Sequence, residues 1–288
     1  GMRPLDRGNN QTLLKEALQI AARADVIVAA LGECTEMSGE SASRTMLEIP
    51  DAQRDLLKAL VKTGKPVVLL LFTGRPLALV EESAIVPSIL NVWFAGSEAG
   101  DAIADVLFGK VSPSGKLTTS FPRSVGQLPL YYNSHNTGRP DPDRCTFNRY
   151  TSNYLEDSND PLYPFGYGLS YTHFRYDDMV LSSNVLKKGG KIIVSVTVRN
   201  EGGYDGYEVV QLYLRDIYAD VVRPVKELRK FERIFLKKGE SREVKFVIAE
   251  EDSKFYNSKL QYVYEPGDFE VMVGTNSRDV QSKTFFAE

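Results

Sequence analysis

The sequence is organised around one stretch, Val26-Ile27-Val28-Ala29-Ala30 followed by Leu31-Gly32-Glu33-Cys34-Thr35-Glu36-Met37-Ser38-Gly39-Glu40-Ser41-Ala42-Ser43-Arg44-Thr45. The apolar run at its start predicts a buried strand. Pro50 then opens an amphipathic segment, which predicts a helix with proline at or near its first turn. A polar loop with three glutamates therefore leaves the carboxyl end of a strand and runs toward a helix. In open α/β sheets this is where ligands bind.

The segments around this stretch extend the same pattern through the first 127 residues. Strands and helices alternate, and the strands are nearly all apolar, which is typical of a parallel sheet covered on both faces. We predict a flavodoxin-like α/β sandwich over residues 1–127. No glycine-rich phosphate loop opens a helix, which counts against a nucleotide-binding domain. The predicted elements are a helix over 12–23, strands over Asp25–Ala30, Pro66–Leu71, Ile89–Trp93 and Leu117–Phe121, and helices from Pro50 and up to Gly109.

The second half of the chain has a different texture. Tyrosine, asparagine, proline and glycine dominate between Leu128 and Tyr171, without periodicity, and we assign residues 128–176 to a connector. From Asp177 onward apolar residues alternate with polar ones, and turn signals separate the runs. Regularly spaced alternating strands predict an all-β sandwich over residues 177–288.

Composition narrows the classes of function. The net charge of −3 offers no basic field for nucleic acid or an anionic membrane, and no apolar run is long enough to span a bilayer. Two cysteines, Cys34 and Cys145, are too few for a disulfide framework. With only two histidines a zinc site is not expected. We therefore predict no metal, no cofactor, no nucleic-acid partner and no membrane partner.

The polar loop carries the first candidate for chemistry. Glu40 stands among small residues, which let a loop approach a ligand closely. Arg44 is near enough to pair with a carboxylate or to hold the loop. The alternative is that Glu33, Glu36 and Glu40 are solvated loop charges, which is the default for exposed glutamate. Cys34 has no histidine near it in sequence, so a small buried thiol is preferred over a nucleophile.

Several motifs together resemble the family 3 glycoside hydrolases, the β-glucosidase and β-xylosidase family, and in particular its periplasmic bacterial β-glucosidases. They occur in the family's order and cover essentially the whole chain. These motifs are Ser38-Gly39-Glu40-Ser41-Ala42-Ser43-Arg44, the helix start Pro50-x-x-Gln53-x-x-Leu56, Gly74-Arg75-Pro76, Trp93-Phe94-Ala95-Gly96-Ser97-Glu98-Ala99-Gly100, Pro113-Ser114-Gly115-Lys116-Leu117 and Tyr163-Pro164-Phe165-Gly166-Tyr167-Gly168-Leu169-Ser170-Tyr171.

The resemblance implies a three-part enzyme and a role for one loop. Family members usually carry an aspartate nucleophile on an N-terminal TIM-like barrel, the acid/base on an α/β sandwich, and then a fibronectin type III-like domain. The acid/base glutamate maps to Glu40, with Glu36 as the weaker candidate. Glu33 is expected to orient the loop. The resemblance further implies an oligosaccharide or β-glucoside substrate and a periplasmic or extracellular location, although the sequence shows no signal peptide.

A TIM barrel needs about 250 residues, and the residues before Asp25 cannot supply one. A retaining glycosidase needs two carboxyl groups about 5 Å apart. We therefore expect the barrel and its nucleophile to be absent, residues 1–288 to be inactive alone, and Glu40 to be exposed and ionised. The alternative is a non-catalytic carbohydrate-binding or scaffold module.

Further candidates for substrate binding are Arg44, Trp93, Arg139 and Tyr150. Trp93 can stack on a sugar, but core packing at a strand end is the preferred alternative. Glu98 is expected only to complement a helix dipole. Arg139 and Tyr150 belong to the group of connector residues for which a sugar cleft and the packing of a linker are equally good interpretations; the others are Tyr131, Tyr132 and Tyr154.

Overall fold

The computed structural model describes residues 11–141 and 148–288. Cys145 lies outside the described residues. The chain forms two compact units, one with the residues up to 105 and 121–129, the other with 106–120 and 130–288. Most of the connector thus belongs to the same compact unit as the β-sandwich. The domain boundaries at residues 127 and 176 stay predictions.

The first unit is an α/β fold built on a parallel sheet, as predicted. Its strands lie in the order β1-β2-β3, and both pairs are parallel. Two short 3-10 helices, Thr35–Met37 and Val125–Gln127, complete it. The elements are α1 Gln11–Ala22, β1 Ile27–Gly32, α2 Asp51–Val61, β2 Val67–Phe72, α3 Val80–Ile85, β3 Ser88–Asn91 and α4 Ala99–Leu107.

The register of β1 on β2 places two loops side by side. Pairing runs from Ile27↔Val67 to Gly32↔Phe72, so both strands end at the same edge of the sheet. The central strand is apolar and carries fully buried leucines, which is typical of a parallel sheet. Leu57 on α2 is also fully buried. The polar loop after β1 and the Thr73–Pro76 loop after β2 therefore start from neighbouring, well-packed strand ends.

Three details differ from the sequence-based expectation. The strand predicted at Leu117–Phe121 is wrong, because the structure has no strand element there. Leu117 instead exchanges backbone hydrogen bonds with the connector, donating to Tyr167 O at 2.8 Å and accepting from Gly166 N at 2.7 Å. The short helix α3 was not predicted. Trp93 lies beyond the end of β3, in a left-handed conformation with φ of 53°.

The second unit contains a mostly antiparallel β-sandwich, in which β6 pairs with β14 in parallel, and it confirms the predicted all-β class. One sheet has the order β10-β7-β4 with β5 beside β7, and the other has β6-β14-β13-β8-β9. Strands β11 and β12 form a separate hairpin. The elements are β4 Phe174–Tyr176, β5 Val180–Leu181, β6 Val185–Leu186, β7 Lys191–Asn200, β8 Gly206–Asp216, β9 Glu227–Leu236, β10 Ser241–Ala249, α5 Glu250–Ser253, β11 Phe255–Tyr256, β12 Tyr262–Val263, β13 Gly267–Gly274 and β14 Val280–Ala287.

The sandwich core is formed by the inward-facing residues of its strands. The alternating residues of β7 and β10 are buried, as their period of two predicts. These residues include Ile192, Val194, Val196, Val198, Val244, Phe246 and Ile248, which pack with Val210, Leu212, Phe269 and Val271.

The connector packs on the sandwich within this unit. Tyr132 stacks on Phe165 with ring centroids 4.1 Å apart, and its hydroxyl accepts a hydrogen bond from Leu228 N at 3.2 Å. The buried carboxylate of Glu208 accepts from Lys116 at 3.2 Å and from Thr275 at 2.7 Å. In the part of the chain that the structure describes, no helix is both long and apolar enough to cross a membrane.

Candidate active site

Glu33 is the buried anchor of the polar loop. It directly follows β1, and its side chain has no exposed surface. One carboxylate oxygen accepts from Arg44 Nη1 at 2.8 Å and forms an ion pair with Arg75 Nε at 3.1 Å. The other accepts from Thr73 Oγ1 at 2.9 Å and Gly74 N at 3.1 Å. A buried charge needs such a full set of partners, and this one links the loop after β1 to the loop after β2.

Arg75 reaches across to hold the loop that carries Glu40. Its Nη2 donates to Met37 O at 2.6 Å and to Ala42 O at 3.0 Å. These two carbonyls lie on either side of Glu40 in the chain. Arg44 adds a further tie, because its Nη2 donates to Glu48 O at 2.9 Å. Arg75 thus holds both ends of the segment from Met37 to Ala42, and Arg44 ties the residues that follow it to Glu33.

Two glycines permit the close approaches that this frame requires. Gly32 has φ of 132°, and a Cβ there would lie 1.9 Å from Phe72 O. Its backbone N–H and C=O are both bonded by the Gln53 amide, at 2.7 and 3.0 Å. At Gly74 a Cβ would lie 2.0 Å from Ser38 Oγ. Gly32 therefore excludes any side chain, whereas a side chain at Gly74 would require Ser38 to move.

Glu40 lies at the tip of the loop. It is exposed, as expected, and it lies between Gly39 with φ of 119° and Ser41 with φ of 59°. A backbone hydrogen bond from Ala42 N to Gly39 O closes the turn at 3.3 Å. Within the described residues its carboxylate makes no hydrogen bond or ion pair. The left-handed backbone at Gly39 and Ser41 and the bonds from Arg75 together fix the position from which the Glu40 side chain extends into solvent.

Glu36 and Cys34 form a separate local pair. Glu36 lies in the 3-10 helix Thr35–Met37 and is exposed. A hydrogen bond from the Cys34 thiol holds the pKa of Glu36 below its ordinary value. Burial raises the pKa of the Cys34 thiol, and the bond to Glu36 raises it further, so the thiol form is favoured over the nucleophilic thiolate.

The remaining predicted site residues are divided between the two compact units. The guanidinium of Arg44 donates to Glu33 and to Glu48 O within the loop, which fits a role in holding the loop. Contact of Arg44 with a sugar stays a prediction. Trp93 packs against buried Phe121, with ring centroids 5.7 Å apart. Arg139 and Tyr150 are both exposed and belong to the other compact unit. Their role in substrate binding stays a prediction.

Sequence reasoning gave Arg75 and Thr73 too little weight. Both lie about forty positions from Glu33, so spacing alone cannot bring them together. The available signal was topological, because each follows the end of a strand in the same parallel sheet.

Comparison with known proteins decides the family. The model of the glycosyl hydrolase family 3 C-terminal domain matches residues 5–171. The chain belongs to glycosyl hydrolase family 3. A fibronectin type III-like domain model matches residues 208–277, within the β-sandwich. These two matches agree with the α/β fold and the β-sandwich described above.

Individual relatives in family 3 are similar along nearly the whole chain. A periplasmic β-glucosidase of Salmonella typhimurium is 51% identical over 98% of this chain. A β-xylosidase of Formosa agariphila is 42% identical over 93% of it. The crystal structure of a β-glucosidase from Listeria innocua in complex with glucose has a TM-score of 0.90, with 43% identity over 95% of this chain. The chain spans 37%, 36% and 38% of the lengths of these three proteins.

Proposed function

We propose that this chain supplies the general acid/base, Glu40, of a retaining exo-β-glycosidase that removes terminal β-D-glucosyl residues from oligosaccharides or glycosides. The nucleophile comes from an N-terminal barrel domain that these residues do not include. The observation that carries the proposal is the exposed Glu40 carboxylate at the tip of a loop held on both sides by Arg75. Membership of family 3 supports the reaction class.

Glu40 would act twice in the reaction. In the first step its proton passes to the glycosidic oxygen while the C1–O bond breaks and the barrel carboxylate bonds to C1. In the second step Glu40, now ionised, takes a proton from water as the water oxygen bonds to C1 and the barrel carboxylate leaves. An acid/base must reach a second domain, and an exposed carboxylate on an anchored loop meets that requirement.

The other two glutamates of the loop fit this role less well. Glu33 has no exposed side-chain surface, and four donors surround it. Glu36 is exposed, but its carboxylate is bonded by its own neighbour Cys34. Glu33 is therefore a positioning residue, and Glu36 is the second candidate for the acid/base.

Three finer statements belong to the same proposal. The sugar is β-glucose, because the Salmonella and Listeria relatives are named as β-glucosidases, although the Formosa relative is named as a β-xylosidase. The location is periplasmic or extracellular, on the analogy of the Salmonella protein. Residues 1–288 alone are inactive on aryl β-glucosides, because one carboxyl group cannot complete the double displacement.

A chimera tests the acid/base assignment. Residues 1–288 replace the matching part of the Listeria innocua enzyme, and hydrolysis is measured with aryl β-glucosides of good and poor leaving groups. Glu40→Gln should lower kcat/KM about 10²–10⁴-fold for poor leaving groups and much less for good ones, since only the former need a proton. It should also remove the alkaline limb of the pH profile. Glu36→Gln is the matched control and should leave all three readouts near those of the parent chimera.

The chimera experiment also distinguishes the proposed function from its alternatives. If Glu36→Gln produced the losses expected for Glu40→Gln, the acid/base would be reassigned to Glu36. If the folded chimera were inactive and residues 1–288 bound oligosaccharide, the non-catalytic carbohydrate-binding module would be the better description.

A further inference from the structure

The side-chain amide of Gln53 bonds both main-chain groups of Gly32, the residue directly before Glu33. Gly32 N donates to Gln53 Oε1 at 2.7 Å, and Gln53 Nε2 donates to Gly32 O at 3.0 Å. An amide carries a donor and an acceptor side by side, so it can make the pair of bonds that a neighbouring strand would make. In the described part of the chain, β1 is an edge strand of its sheet. Gln53 therefore supplies hydrogen-bond partners to the last residue of an edge strand, where the polar loop begins.

The same turn of α2 also holds the chain beyond the polar loop. Gln53 N donates to Pro50 O at 2.8 Å, and Arg54 N donates to the same oxygen at 3.1 Å. The side chain of Arg54 donates to Glu48 Oε2 at 2.8 Å, and Glu48 O accepts from Arg44 at 2.9 Å. One turn of a single helix thus contacts both the residue before the loop and a residue after it, which sets the separation of the two ends of the loop.

A continuous series of contacts leads from Gly32 to Glu40. Gly32, with φ of 132°, sets the direction in which the chain leaves the strand, and Glu33 N donates to Phe72 O at 2.7 Å. The Glu33 carboxylate pairs with Arg75 Nε at 3.1 Å. Arg75 in turn donates to two main-chain oxygens that flank Glu40 in the chain. Because Glu33 is buried among these partners, a change of backbone direction at Gly32 is transmitted to the residues that hold Glu40.

These contacts need an amide and not merely a side chain of this size. The buried positions of α2 are Ala52, Leu57 and Leu60, whereas Gln53 is half-buried. Methionine is similar to glutamine in length and helix propensity, so packing and helix formation would accept it. It offers Gly32 neither a donor nor a strong acceptor, and both main-chain groups would lose these partners. The amide therefore serves the backbone at Gly32 rather than the core of the unit.

We infer that Gln53 is a positioning residue for the acid/base: its amide sets the direction of the chain at Gly32 and, through Glu33 and Arg75, the position of the Glu40 carboxylate. The inference rests on the proposed function of Glu40. Gln53 acts through the backbone and carries no proton in the reaction. A displacement of about 1 Å at a reacting group can cost about 100-fold in rate. The loss falls on glycosides with poor leaving groups, because these depend most on proton donation by Glu40.

The chimera with the Listeria innocua enzyme tests this inference with Gln53→Met and Gln53→Glu. Glutamate keeps the length and one acceptor, but when ionised it cannot donate to Gly32 O. The readout is kcat/KM for aryl β-glucosides, which reports the step in which the proton is given. Both variants should lose about 10–100-fold with phenyl β-glucoside and about two-fold or less with dinitrophenyl β-glucoside. Gln19→Met, the same substitution at an exposed position of α1, is the matched control and should equal the parent.

A double variant shows whether Gln53 acts through Glu40. If it does, Gln53→Met should cause no further loss with phenyl β-glucoside once Glu40→Gln is present, because the group that it positions is already gone. A merely structural glutamine would instead lower the folded fraction, so that kcat/KM fell by the same factor for both leaving groups and the losses of the two substitutions multiplied. Amide exchange between Met37 and Ala42 should accelerate in both Gln53 variants and stay unchanged in Gln19→Met.

Four results would overturn the positioning role. They are equal losses with both leaving groups, losses that multiply in the double variant, kcat/KM equal to the parent in Gln53→Met and Gln53→Glu, and loss of folding in both Gln53 variants by far-UV circular dichroism. The last result would show that the amide serves the fold itself. If Glu40→Gln alone lacked the expected dependence on the leaving group, the proposed function would fail instead, so different variants reveal the two failures.

Discussion

Replacement of Glu33 by glutamine is the sharpest test of the loop frame. The substitution keeps the shape of the side chain and removes its charge. All four groups around the carboxylate can act as donors, two on each oxygen. An amide has only one acceptor oxygen, so its NH2 group must face one of the two pairs of donors. Neither orientation of the introduced amide restores the network.

The expected loss follows from the burial of Glu33. Its side chain has no exposed surface, and its partners Arg44 and Arg75 are 18% and 22% exposed. Removing one member of a buried ion pair costs about 3–5 kcal/mol. With a slope of roughly 2 kcal/mol per molar urea, the unfolding midpoint should fall by about 2 M. Amide hydrogen exchange between Met37 and Ala42 should also accelerate.

Urea unfolding followed by tryptophan fluorescence measures this loss. Trp93 is the only tryptophan of the chain and lies in the first unit, so its signal reports on the unit that contains Glu33. Glu36→Gln is the matched control, because it removes a charge from the same loop at an exposed position. A midpoint for Glu33→Gln no lower than that of Glu36→Gln would refute the argument that Glu33 anchors the loop.

Three further predictions concern other parts of the chain. Gly32→Ala should abolish the cooperative Trp93 transition, because its Cβ would lie 1.9 Å from Phe72 O. Lys116→Met should destabilise the second unit by about 3–5 kcal/mol in calorimetry, because it leaves the buried carboxylate of Glu208 without its cation. Burial raises the pKa of Asp216 from 3.8 to about 6, so the wild-type chain binds that proton more tightly when folded and loses stability as pH rises from 4 to 6. Asp216→Asn should therefore be more stable than wild type at pH 7 by about 1 kcal/mol, after allowance for partial exposure, and this advantage should shrink toward pH 4 in urea titrations.

The sequence predicts those elements whose pattern comes from burial. β2 is continuously apolar and β7 alternates with period two, and both lie where these patterns place them. The period of β9 is hard to recognise in the sequence, because β9 is an edge strand with several charged residues and only two buried positions. Such charges protect an edge against pairing with other chains, but they also conceal its periodicity. The strand prediction at Leu117–Phe121 is wrong for a different reason, because the backbone partners of Leu117 lie in the connector and not in the parallel sheet.

The candidate site was predictable only in part. Glu40 could be singled out from its small neighbours and from the family motif, and Glu33 was expected to orient the loop. The donors that make this orientation possible could not be read from local spacing, because Arg75 and Gly74 come from a different strand end. The parallel register that joins them is a tertiary property of the sheet.

The bonds from Arg75 end on the main-chain oxygens of Met37 and Ala42, not on side chains. Bonds to main-chain oxygens do not depend on which side chains occupy the four positions between Met37 and Ala42, provided that the turn is kept. Mutations can therefore accumulate at those positions without loss of the scaffold beneath. The backbone that carries Glu40 is thus held independently of the side chains on either side of it.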